Sequence, residues 1–140
     1  MSQLLLDEQL NTPHLLPVIR KWIKAEKLTV ERPGEQILDD RVPSILRTLK
    51  QPTFVTIDAG FWNRSLCHAD YGILYFDLRV DQQELLPGLL RSLLRLPEFR
   101  TRALRMGKVA RVSTASISFW DVNHQELQHA AWGKRPRKKR

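Results

Sequence analysis

Apolar residues in this chain come in short unbroken runs more often than in alternation. Three runs set the pattern: LLL at 4–6, TFVTI at 53–57 and GILYF at 72–76. Each meets carboxylates: Asp7 and Glu8 follow the first, Asp58 follows the second, and Asp70 and Asp77 bound the third. Short runs without alternation predict strands covered on both faces, as in the parallel sheet of an α/β protein. Between them the period changes. Leu15, Leu16, Ile19, Trp22 and Ile23 recur at three and four residues, which predicts an amphipathic helix over 12–24. Asn11 or Thr12 is its cap, Pro13 sits in its first turn, and Arg20, Lys21 and Lys24 face water. A short strand is expected at 28–30 and a turn at 31–34. A helix over 42–50 follows, capped by Asp39 or Asp40, with Ile45, Leu46 and Leu49 inward.

The second half reads less regularly. Residues 63–70 form a loop. Leucine is dense over 81–96, which predicts a buried helix distorted near Pro87 and Gly88. A second helix or helical turn runs over 97–106 and Gly107 ends it. Residues 109–122 read as one strand or a hairpin. The order is β-α-β-α-β-β-α-α-β, and the expected fold class is α/β. Right-handed crossovers would bring the acids that end the first and third strands to one sheet edge. Open α/β sheets bind their ligands at the carboxyl edge.

Composition narrows this only a little. With 140 residues, 42% of them apolar and 27% charged, the chain suits one ordinary globular domain. Its expected bounds are 1–132, followed by a basic tail at 133–140. No apolar run approaches the length of a membrane span, so no membrane partner is expected. The opening MSQLLLDEQL lacks the basic flank and long apolar stretch of a signal peptide. Cys67 is the only cysteine, which excludes an internal disulfide and fits a reducing, cytoplasmic setting. It reads as a half-buried filler before it reads as a nucleophile.

Charge changes the picture more. Lys134, Arg135, Arg137, Lys138, Lys139 and Arg140 supply six of the charges behind the net +8, leaving +2 for the rest. The basic character is mostly a tail, which either holds a phosphate backbone or serves as a solvated end. A second basic group runs from Arg91 through Arg95, Arg100, Arg102, Arg105 and Lys108 to Arg111. His14, His68, His124 and His129 form no metal-ligand spacing and read as surface residues. Trp120 and Trp132 either stack on unpaired bases or pack in the core.

Asp7, Asp40 and Asp58 remain. Carboxylates gathered at one sheet edge raise each other's pKa, and a divalent cation relieves that cost. Mg²⁺ or Mn²⁺ suits such an all-oxygen site, and phosphodiester hydrolysis is the chemistry it supports. Acids at strand ends and helix caps are also common for purely structural reasons. The segment LLLDEQL at 4–10, the helix after it, the acid at Asp40, VTIDAGF at 55–61 and GILYF at 72–76 together resemble the PIN-like proteins, a small family related to the PIN-domain nucleases of toxin–antitoxin modules. The likeness covers about residues 4–95. It implies a three-layer α/β/α domain around a short, mainly parallel sheet. It also implies a metal-dependent endoribonuclease, possible as the toxin of a toxin–antitoxin pair, in which Asp7, Asp40 and Asp58 hold Mg²⁺ or Mn²⁺ and Glu8 assists. RNA would be the substrate, bound by Lys134 to Arg140, with an antitoxin or other protein as partner. Gly60 departs from the family pattern, which has a second acid there. Asp70 or Asp77 is a candidate replacement for it. The alternative is a catalytically silent module that binds nucleic acid or protein. A third expectation is a subunit that meets its neighbours through the leucine-rich 81–96 segment.

Overall fold

The computed structural model describes residues 4–28 and 41–132. Seven strands form one mixed sheet: β1 (Leu4–Leu6), β2 (Ala25–Lys27), β3 (Thr53–Thr56), β4 (Gly72–Phe76), β5 (Lys108–Val112), β6 (Ile117–Asp121) and β7 (His124–Ala130). Their order across the sheet is β2-β1-β3-β4-β5-β6-β7. The first five pair in parallel, and β6 and β7 are added antiparallel. Among the described residues four α-helices are interspersed: α1 (Thr12–Ile19), α2 (Val42–Leu46), α3 (Leu86–Leu93) and α4 (Arg102–Arg105). The α/β class is as expected. No described helix is long and apolar enough to cross a membrane.

Every residue of β3 and β4 is buried, which is what their unbroken apolar runs implied. Alternate residues serve two clusters. Leu4, Leu6, Val55, Leu74, Phe76 and Ala110 pack with α1 and α3 on the first face. Leu5, Phe54, Ile73 and Val109 pack with Val42 and Leu46 of α2, and with Phe61 and Tyr71, on the second.

Several boundaries differ from expectation. The first helix stops at Ile19, because Arg20 caps it and Trp22 and Ile23 reach the core from a turn instead. The second strand lies at Ala25–Lys27, while 29–30 fall outside the described residues. The leucine-rich segment opens as a 3-10 turn, Val80–Leu85, and becomes α-helical only where Pro87 fits the first turn. The 97–106 helix is reduced to α4. Residues 109–122 form the hairpin β5–β6, and β7 after it was not expected. Trp132, whose indole N–H donates to the Ser113 carbonyl at 3.1 Å, ties the segment after β7 to that hairpin's turn.

The amino edge of the sheet is held by buried cations. Arg105, 1% exposed, donates to the Thr53 hydroxyl at 3.0 Å and the Phe99 carbonyl at 2.9 Å. Desolvation lowers its pKa to about 10. Lys108 donates to the Glu98 and Leu104 carbonyls and lies 5.5 Å from the ring centroids of Phe99 and Phe119. These two members of the second basic group are structural. The same corner presses on β4: a Cβ on Gly72 would collide with the Arg105 backbone carbonyl. Gly107 (φ 84°) turns the chain there, its N–H donating to the Tyr71 carbonyl. Gly72→Ala should therefore cost about 1–3 kcal/mol, as overpacking against rigid backbone does. Urea unfolding measures it, and an unchanged midpoint would show that the corner yields freely.

Candidate active site at the carboxyl edge

From β1 the chain departs to β2 on one side and returns to β3 on the other. The carboxyl ends of β1 and β3 thus flank the switch point of the sheet, where α/β folds open a crevice. Asp7 and Asp58 follow those two ends, as the sequence pattern predicted.

Thr56 joins them. Its hydroxyl donates to Asp7 Oδ2 at 2.7 Å and accepts the Asp58 N–H at 3.0 Å. The other Asp7 oxygen accepts the Gln9 N–H at 3.2 Å. Asp58 Oδ1 accepts the Gly60 N–H at 2.9 Å, which caps the 3-10 turn Ala59–Phe61 and fixes the carboxylate's direction. Asp7 is buried at 9% exposure, whereas Asp58 is half-exposed. Desolvation pushes the Asp7 carboxyl pKa up. The hydrogen bonds from Thr56 and Gln9 oppose that rise, and the charges of Asp58 and Glu8 add to it. Glu8 is half-buried beside this pair.

The other expected residues fall elsewhere. Asp39, Asp40 and the basic residues Lys134 to Arg140 lie outside the described residues. Among the described residues, no group of three or more His, Cys, Asp or Glu side chains is placed to hold a metal. Asp77 accepts the Tyr75 hydroxyl at 3.2 Å on one oxygen and the Arg111 guanidinium on the other. It is thereby engaged by two side chains beside β4. Asp70 is exposed beside His68. Cys67 is half-buried, and desolvation raises its thiol pKa. His124 and His129 are exposed on β7.

A polar row across the second face was not anticipated. Strand register aligns Thr56 with Tyr75, Tyr75 with Arg111, Arg111 with Ser118, and Ser118 with His129. Asp7, one step past the Leu6–Val55 pair, extends the row. The only sequence signal was polar residues interrupting strand runs, and it needs the register to become a line. On the other side of the edge, Gln9, Asn11, His14, Asp81 and Glu84 line an open cleft of about 610 Å³.

The Asp7 pKa sets a direction for stability. Its folded value lies above the ordinary 3.8, so the folded state holds the proton more tightly than the unfolded chain. That contribution is fullest below the unfolded pKa and is lost as pH rises through the folded one. At neutral pH the buried carboxylate is a net cost. Asp7→Asn keeps an acceptor for Thr56 and removes the charge, so it should stabilise by about 1 kcal/mol at neutral pH. The gain should fade in acid. Thermal unfolding across pH measures this, and a variant less stable than wild type at neutral pH would contradict it. No protein-family model, curated protein or solved structure matches this chain, so the site rests on its own chemistry.

Proposed function

We propose that the chain is a PIN-like α/β/α module that acts as a Mg²⁺- or Mn²⁺-dependent endoribonuclease, in the role of a toxin-type, cytoplasmic enzyme with an antitoxin as partner. One observation carries the reading. Two carboxylates, one of them desolvated, meet at the switch point of a mostly parallel sheet with hydrogen bonds that aim them. Like charges brought together in a partly dry site favour a divalent cation.

Hard carboxylate oxygens fit Mg²⁺ or Mn²⁺, and Asp7 and Asp58 would hold the ion, with Asp40 as the third ligand and Glu8 as a helper. When bound, the ion supplies Lewis acidity toward water and phosphate. The chain's own residues do the positioning. Thr56 fixes both acids relative to the sheet, and the Gly60 N–H holds one Asp58 oxygen so that the other points elsewhere. The residues from Lys134 to Arg140 would bind the RNA backbone by counterion release.

A silent binding module is the second reading, and Gly60 favours it. A Cβ there would lie 3.2 Å from Asp58 Oδ1, so an acid at this position would add a ligand beside Asp58 that the chain lacks.

Calorimetric titration with Mn²⁺ tests the proposal. Wild type should bind in the micromolar-to-millimolar range, and Asp58→Ala should lose binding. Cleavage of single-stranded RNA should fall in that variant by more than the ~10–100-fold typical of outer-shell partners. No Mn²⁺ binding by wild type would overturn the nuclease and leave the silent module. Gly60→Asp supplies a second check: it should tighten Mn²⁺ binding by about tenfold or more. Weaker binding would mean that the position does not face the ion.

A further inference from the structure

The second face of the sheet changes character from one side to the other. Over β1, β3 and β4 it is closed by α2, Phe61 and Tyr71. None of the buried residues in that cluster comes from β6 or β7. What stands over β6 instead is aromatic and cationic. Trp62 and Trp120 stack with ring centroids 6.2 Å apart and planes 28° apart. Both are partly buried. The Arg64 guanidinium lies 5.2 Å from the Trp120 ring centroid. One row nearer the carboxyl edge, on the same face, come Arg111 and His129 with Ser118 between them.

Most of each indole is buried, and Trp62 packs against the second cluster, yet each keeps part of its surface in water, where a flat ring can take a further stacking partner. Their shared chemistry is a flat π surface with cations beside it. A strand of unpaired bases matches both parts, with bases stacking on indoles and phosphates meeting guanidinium groups. Charge decides which side of the edge such a strand takes. The cleft on the other side is lined by Asp81 and Glu84 and repels phosphate. The platform side carries the exposed Arg64, with Arg111 and Asp77 paired to each other and Asp121 half-buried.

The platform is also tied to the candidate acids. Trp62 follows Asp58 by four residues, across the single turn Ala59–Phe61. Bases seated on the indoles therefore lie on the same loop that presents Asp58.

We infer that Trp62, Trp120 and Arg64 form a stacking platform for single-stranded nucleic acid, with the backbone passing Arg111 and His129 toward Asp58. This names the substrate class of the proposed site and rests on that reading for its catalytic meaning, but the binding is measurable without it. The platform discriminates against duplex, whose bases have no free faces.

The test uses the full chain in EDTA, so no metal chemistry enters. Fluorescence anisotropy reports binding of a labelled oligoribonucleotide of about 12 nucleotides. The same sequence as a duplex and an abasic strand of equal length are the comparisons. Wild type should bind the single strand about tenfold more tightly than the abasic strand. Trp120→Leu and Trp62→Leu should each weaken the single strand by about tenfold and leave the abasic strand unchanged. Circular dichroism checks folding, and if Trp120→Leu fails to fold, Trp62→Leu and Arg64→Gln decide. Equal affinity for abasic and normal strands would reduce binding to the charged tail and overturn the platform. So would tighter duplex binding, wild-type affinity in the variants, or no binding at all, the result expected if the face seats a protein. Base-dependent binding without Mn²⁺ affinity would sink the nuclease and keep the platform; the reverse would sink the platform alone.

Discussion

One hydroxyl holds the carboxyl edge together. Thr56 is fully buried, and its Oγ1 serves Asp7 as donor and the Asp58 N–H as acceptor. An ionised carboxylate at 9% exposure loses most of its water. The Thr56 hydroxyl and the Gln9 N–H are what the chain offers in return. A β-branched residue also suits the strand, so one side chain satisfies β3 and the site together. Without that hydroxyl, Asp7 would keep the Gln9 N–H, and its direction relative to Asp58 would no longer be fixed by β3.

The opposite edge has a different task. Arg105 and Lys108 are buried there against carbonyls, a hydroxyl and aromatic rings, and they lock the α4–β5 corner onto β3 and the packed aromatic core. Their charges are withdrawn from solvent and do not contribute to phosphate binding. The cations nearer the second face are Arg64, from the loop after β3, and Arg111, from β5 and paired with Asp77. The fold thus spends its basic residues in two ways that the net charge alone does not separate.

The strands at 4–6, 53–56 and 72–76 were legible because burial on both faces writes an unbroken apolar run. Asp7 and Asp58 were legible because each ends such a run. Strand β7 was not: HQELQHA faces water along much of its length, and only its register with β6 makes it a strand. Arg105 and Lys108 were not set apart from the rest of the second basic group, because a long basic side chain carries no mark of the carbonyls that will surround it. Thr56, Tyr75, Arg111 and Ser118 lie far apart in sequence, and only strand pairing makes them neighbours. Trp120 was read as core or as base-stacking, and its partly buried place against Trp62 depends on a loop path that no local pattern encodes.

Strands β2 and β7 are the outermost of the row. Strand β2 has only three residues, two of them charged, and β7 carries histidines, glutamines and a glutamate, with a register irregularity against β6. Short, charged or bulged margins discourage another chain from adding a strand. Among the described residues, then, neither margin invites sheet-to-sheet growth. Association with other molecules is directed to the faces and ends of the sheet, and self-assembly into extended β-structure is disfavoured by the same side chains that made the last strand hard to read.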